Sequence, residues 1–132
     1  MEVIVRPDAA RAVGLVARLL EERLRARPSL VLGLATGRTM ERVYDALAAS
    51  GVSFAAATTF NLDEYVGLAA DDPRSYRHYM RERLFSRVDV DPARTHVPEG
   101  DAPDLVRAAA DYEHRIAEAG GIDLQLLGLA DG

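Results

Sequence analysis

Leu30-Val31-Leu32-Gly33-Leu34-Ala35-Thr36-Gly37-Arg38-Thr39, residues 30–39, is the stretch on which the fold turns. Residues 30–34 form a continuous apolar run, the pattern of a strand buried on both faces as in a parallel sheet. A short glycine-containing turn follows. Met40, Val43 and Leu47 then recur at helical spacing until Ser50-Gly51 closes the segment. Thr39 is the expected cap of that helix. The unit is strand, turn, helix.

The same alternation continues in both directions. Upstream, Val3 to Val5 read as a short strand ending at Arg6-Pro7. Asp8 is placed to cap a helix whose apolar stripe is Ala9, Val13, Val16, Leu20 and Leu24, with Pro28 beyond its end. Downstream, Ala55 to Phe60 reads as a third strand, and Gly67 with Asp71-Asp72-Pro73 marks a turn-prone stretch. Ser75 opens a helix carrying Tyr76, Met80 and Leu84. Residues 88–104 read as connection, with a short strand around His96-Val97. A last helix carries Leu105, Ala109, Tyr112 and Ile116 up to Gly120-Gly121, and Ile122 to Leu127 is a final apolar run. Strands alternating with amphipathic helices predict an α/β fold: a Rossmann-like, mostly parallel sheet with helices on both faces. Gly128 to Gly132 follow the last strand directly, where a helix normally comes next. The expectation is therefore one domain over residues 1–132, incomplete and truncated at its C-terminal side.

Composition narrows the function. At 132 residues, 48% hydrophobic and 28% charged, the chain is long and apolar enough for one core. A net charge of −5 disfavours nucleic acid as partner, since phosphate-backbone binding needs a concentrated cationic face. The absence of cysteine excludes disulfides, thiol nucleophiles and thiolate metal sites. No apolar stretch reaches the ~18 residues of a membrane helix, and the N-terminus lacks signal-peptide architecture, so no membrane partner and a cytoplasmic location are expected.

Two segments carry candidate chemistry. In the turn at residues 33–39, glycine lets backbone N–H groups approach an anion, and the helix N-terminus adds partial positive charge. Thr36 and Thr39 supply hydroxyl donors, Gly37 the flexible backbone, and Arg38 a planar cationic fork suited to phosphate. The Walker and dinucleotide patterns both fail on glycine spacing. An ordinary strand–helix turn has the same local pattern. The second segment is Phe60-Asn61-Leu62-Asp63-Glu64-Tyr65, at the carboxyl end of the third strand, where open α/β sheets bind ligands. Asp63 and Glu64 are adjacent, so in extended geometry they point to opposite sides and at most one faces a given substrate atom. A solvated acidic turn capped by Asn61 is the alternative. His78, His96 and His114 lack metal-ligand spacing, and surface or half-buried roles are expected of them without a metal.

Four segments together resemble the glucosamine-6-phosphate deaminase (glucosamine-6-phosphate isomerase) family. They are LGLATGRTMERVYDAL, then TTFNLDEYVGL with DDPRSYRHYM, then PEGDAPDL, and finally GGIDLQLLGLADG. The resemblance spans nearly the whole chain but about the first half of a family member. It implies an isomerisation coupled to loss of ammonia, glucosamine 6-phosphate giving fructose 6-phosphate in amino-sugar catabolism, without cofactor or metal. Asp63 matches the family's general base, and Thr36 to Thr39 match its phosphate loop. Glu64 falls beside the base as a substrate-binding position. Asp131-Gly132 matches the start of the family's Asp-Gly-His, whose histidine opens the sugar ring, so Asp131 is a second catalytic candidate. The chain ends before that histidine, and impaired activity is expected of it. The competing readings are a 6-phosphogluconolactonase-like hydrolase, a non-catalytic sugar-phosphate-binding domain, and a chain that pairs its open sheet flank with another copy as a homo-oligomer.

Overall fold

The computed structural model describes residues 2–5, 10–62, 67–68 and 71–127. The elements run β1 (Glu2–Val5), α1 (Ala10–Ala26), β2 (Val31–Leu34), α2 (Arg38–Ser50), β3 (Thr58–Asn61), α3 (Tyr76–Met80), β4 (Thr95–His96), α4 (Leu105–Glu118) and β5 (Leu124–Leu127). A π-helical turn, Arg81–Phe85, continues α3, and a 3-10 turn, Pro92–Arg94, leads into β4. The five strands form one sheet in the order β1-β5-β2-β3-β4, and every pairing is parallel.

Crossover handedness explains which face each helix takes. β1, β2, β3 and β4 advance in one direction across the sheet, so right-handed crossovers put their helices on one face. The step from β4 back to β5 reverses direction and puts α4 on the other. Side chains agree. Leu32, Leu34, Leu124 and Leu126 join Val16, Leu20 and Leu24 of α1 and Met40, Val43 and Leu47 of α2 in one core cluster. On the opposite face Tyr112 of α4 meets Phe60 edge-on at 5.7 Å, and Phe60 stacks on His96 at 4.5 Å. The expected α/β architecture with helices on both faces is the one observed.

Local expectations fared unevenly. All of β2 is buried, as an unbroken apolar run requires. Gly51 ends α2 in the left-handed conformation, at φ 72°. Ser75 caps α3, its hydroxyl accepting from the His78 N–H at 3.1 Å. The third strand, however, is Thr58–Asn61 rather than Ala55 to Phe60. Residues 54–57 make a turn closed by the Ala57 N–H on the Phe54 carbonyl at 3.0 Å, and Phe54 and Ala57 are apolar because they sit in the core, not in the ladder. Asn61, read as a possible turn cap, is a buried strand residue. In α4 the expected apolar stripe is present, yet no residue of the helix is fully buried and Leu105 is 44% exposed. Asp8, the expected cap of α1, and residues 128–132 lie outside the described residues. None of the described helices is long and apolar enough to cross a membrane.

Candidate functional site

The carboxyl ends of β2 and β3 lie side by side, with Leu34 in register with Asn61. Neighbouring strands are ~4.8 Å apart, so the chain leaves these two strands at adjacent points on one edge of the sheet. From Leu34 it enters Ala35-Thr36-Gly37 and then α2. From Asn61 it enters Leu62 and Asp63. Strand order thus makes neighbours of the two strand ends that lead into the segments singled out in sequence.

The turn at residues 35–37 is held by two phenols. The Tyr44 hydroxyl, from the second turn of α2, accepts from the Ala35 N–H at 3.2 Å and donates to the Ala35 carbonyl. The Tyr79 hydroxyl, from α3, does the same at Gly37: it accepts from the N–H at 3.2 Å and donates to the carbonyl at 2.9 Å. Both phenols stay protonated at any ordinary pH. Burial pushes Tyr44 well above the usual phenol range, and burial followed by the Glu41 carboxylate pushes Tyr79 up to about 12.

This arrangement corrects three expectations. Thr39 does not cap α2; Gly37 is the capping position, no side chain caps it, and Arg38 and Thr39 are the first two helical residues. The Gly37 N–H is taken by Tyr79 and is not offered to an anion. Gly33 belongs to β2, not to the turn, and its lack of a side chain serves packing: a Cβ there would lie 2.0 Å from the Gln125 carboxamide oxygen. What remains for an anion is the first turn of the helix. Helical bonding begins with the Glu41 N–H on the Gly37 carbonyl at 3.1 Å, which leaves the N–H groups of Arg38, Thr39 and Met40 without intrahelical acceptors. Beside them stand the half-buried Thr36 and Thr39 and the exposed Arg38. Such a cluster of amide and hydroxyl donors at a helix N-terminus suits a phosphate group.

Asp63, Glu64 and Asp131 lie outside the described residues. Of the histidines, His96 is half-buried against Phe60, and burial, then the Arg115 and Arg77 charges, hold its pKa below the usual value. His114 pairs with Glu118 at 2.8 Å on the surface of α4. Among the described residues no group of three His, Cys, Asp or Glu side chains is placed to hold a metal ion. Two grooves flank α4, of about 260 and 420 Å³, neither lined by residues 35–39. Sequence reasoning missed the two tyrosines. Tyr44 was within reach, because a tyrosine on the apolar stripe of a buried helix must find a partner for its hydroxyl. Tyr79 was not, since its partner is 42 residues away.

Residues 8–132 match the family described as Glucosamine-6-phosphate isomerases/6-phosphogluconolactonase. The chain belongs to that family. Within the glucosamine-6-phosphate isomerase/6-phosphogluconolactonase family it is 54% identical over 133 residues to a glucosamine-6-phosphate deaminase of Rhodopirellula baltica, covering 98% of this chain and 53% of that one. It superposes on a monomeric glucosamine-6-phosphate deaminase with a TM-score of 0.87 at 38% identity, covering 98% of this chain and 56% of the other. A 6-phosphogluconolactonase of Thermotoga maritima follows, with a TM-score of 0.76 at 25% identity and 98% and 60% coverage. The chain spans about half the length of the curated relatives it matches. Their names are those of enzymes, and the fold and the order of motifs place this chain in an enzyme family.

Proposed function

We propose that the chain is the sugar-phosphate-binding and proton-transferring part of a glucosamine-6-phosphate deaminase, converting glucosamine 6-phosphate and water to fructose 6-phosphate and ammonia. The observation that carries this reading is the Leu34–Asn61 register, which sets the donor-rich turn of residues 36–40 beside the strand that leads into Asp63. A phosphate held on the N–H groups of Arg38 to Met40 and on Thr36 and Thr39 would anchor one end of the open sugar. Asp63 would then work at the other end, taking the proton from C2 and returning it at C1 through an enolamine. The resulting C2 imine is hydrolysed, and ammonia leaves. Anchoring of this kind lowers the barrier by positioning alone. Glu64 and Asp131 are proposed at the sugar end. The greater identity to deaminases, 54% and 38% against 25% for the lactonase, favours this reaction over lactone hydrolysis.

Ammonia release from glucosamine 6-phosphate by the purified chain, beside Asp63→Asn, tests the chemistry. Slow turnover that disappears in the variant is the expected result, since the chain spans about half of its relatives. Calorimetry with fructose 6-phosphate tests the anchor. Binding without turnover leaves a sugar-phosphate-binding domain, and identical heats for wild type and Thr39→Ala remove the phosphate site.

A further inference from the structure

We propose that Tyr79 is a positioning residue for the phosphate turn: its hydroxyl locks Gly37 and thereby sets the affinity of residues 36–40 for a phosphate monoester. The inference rests on the sugar-phosphate reading above and adds a residue to it.

Gly37 has φ 125° and ψ 158°, a region that only glycine occupies readily. Nothing lies within 4 Å of a Cβ placed there, so this glycine is required by backbone conformation and not by space. Gly37 is also exposed, and an exposed glycine has many alternative conformations to visit. Tyr79 removes them by closing on both polar groups of the residue at once. Its hold is firm because its own helix is anchored. Met80 and Leu84 are fully buried, the Ser75 hydroxyl caps the helix, and Glu41–Arg83 and Asp45–Arg87, each at 2.5 Å, tie α2 to the segment after Tyr79. The π-helical turn at Arg81–Phe85 joins these anchors to α3. Tyr44 braces Ala35 in the same way but is itself fully buried in the core. Tyr79 is half-exposed, so its contribution is concentrated on the turn.

The consequence for a ligand is selection. With Gly37 locked, the carbonyl of Gly37 is committed to Tyr79 and Glu41, at 2.9 and 3.1 Å, and the N–H groups of Arg38 to Met40 are left without intrahelical acceptors. Without the lock, the phosphate must capture the competent arrangement from a mixture, and the apparent Kd rises by the inverse of the competent fraction.

The test measures fructose 6-phosphate binding by calorimetry in wild type, Thr39→Ala, Tyr79→Phe and Gly37→Ala, with amide exchange at Gly37 followed by NMR in the ligand-free proteins. Tyr79→Phe is expected to raise Kd roughly tenfold, as a competent fraction of about one tenth implies, and to accelerate Gly37 exchange while leaving the Tm near that of wild type. Gly37→Ala keeps every packed side chain and gives the second reading of the same turn should Tyr79→Phe fold poorly. Equal affinity of wild type and Tyr79→Phe, alongside a weakened Thr39→Ala, overturns the inference and leaves the phosphate site standing. Weaker binding with an unchanged Gly37 amide also overturns it, since Tyr79 would then act by another route. Absence of binding in wild type itself overturns the sugar-phosphate reading and this inference with it.

Discussion

The Gln125 side chain fills the space that any side chain at Gly33 would occupy. Gly33 and Gln125 are in register on β2 and β5, and a Cβ at Gly33 would come within 2.0 Å of the carboxamide oxygen. Gln125 cannot simply swing aside. It is 4% exposed, and its amide nitrogen donates to the Leu126 carbonyl at 2.8 Å. Gly33→Ala should therefore lower stability by about 1–3 kcal/mol, the usual range for overpacking a filled core. Urea unfolding of Gly33→Ala and of Gly33→Ala/Gln125→Ala checks it. Recovery in the double variant is expected, and equal loss in both would place the strain elsewhere.

The Tyr44 hydroxyl is the partner of both the N–H and the carbonyl of Ala35. Tyr44→Phe keeps the ring in the core and strands the two backbone groups. A loss of about 1–3 kcal/mol is expected, the range for buried polar groups left unsatisfied. Denaturant midpoints at constant slope measure it, and a change under about 0.5 kcal/mol, as at unremarkable surface sites, would show that water replaces the phenol.

How much of this was legible in the sequence follows from where each interaction is encoded. β2 was readable because a strand buried on both faces carries an unbroken apolar run, and Gly51 because a helix must end in a residue that tolerates positive φ. The two candidate segments could be named separately, as a donor-rich turn and an acidic stretch following a strand. The adjacency of the β2 and β3 ends that lead into them is written only in the Leu34–Asn61 register, which no local pattern states. β3 was misplaced because Phe54 and Ala57 are apolar for packing against the core and so mimic a strand. Gly33 was misread for a related reason. A glycine demanded by a side chain 92 residues away looks the same in sequence as one demanded by a turn.

His96 makes stability depend on pH. Its folded pKa is depressed by burial and by Arg115 and Arg77, while in the unfolded chain it returns to its ordinary value of ~6.5. The unfolded state therefore binds more protons in the window between the depressed pKa and about 6.5, so stability rises with pH there. Its contribution is complete above that window and is lost as pH falls through it. His96→Phe, which keeps a ring against Phe60, should flatten this part of the profile. The separate acid limb stays in place, since Asp72, held down to about 2 chiefly by Arg74, loses its contribution only between its ordinary ~3.8 and about 2. Urea midpoints across the pH range for the two proteins decide the matter. A slope unchanged by the substitution would assign it to another group.

Arg38 and Thr39 stand next to each other at the start of α2 but should contribute to phosphate binding differently. Arg38 is exposed, and its guanidinium has no partner among the described residues; Thr39 is half-buried beside the free N–H groups of the first helical turn. The Arg38 contribution is mainly Coulombic and open to screening, about 1 kcal/mol or roughly fivefold in Kd at low salt. The Debye length falls from ~30 Å at about 10 mM to ~3 Å at about 1 M ionic strength. Arg38→Ala should thus bind fructose 6-phosphate more weakly than wild type at the lower ionic strength and nearly equally at the higher. Thr39→Ala removes a short-range hydroxyl donor and should be weaker at both. Titrations of the three proteins at the two salt concentrations separate these cases, and a salt-independent loss in Arg38→Ala would mean that the guanidinium meets the phosphate in a fixed, desolvated contact.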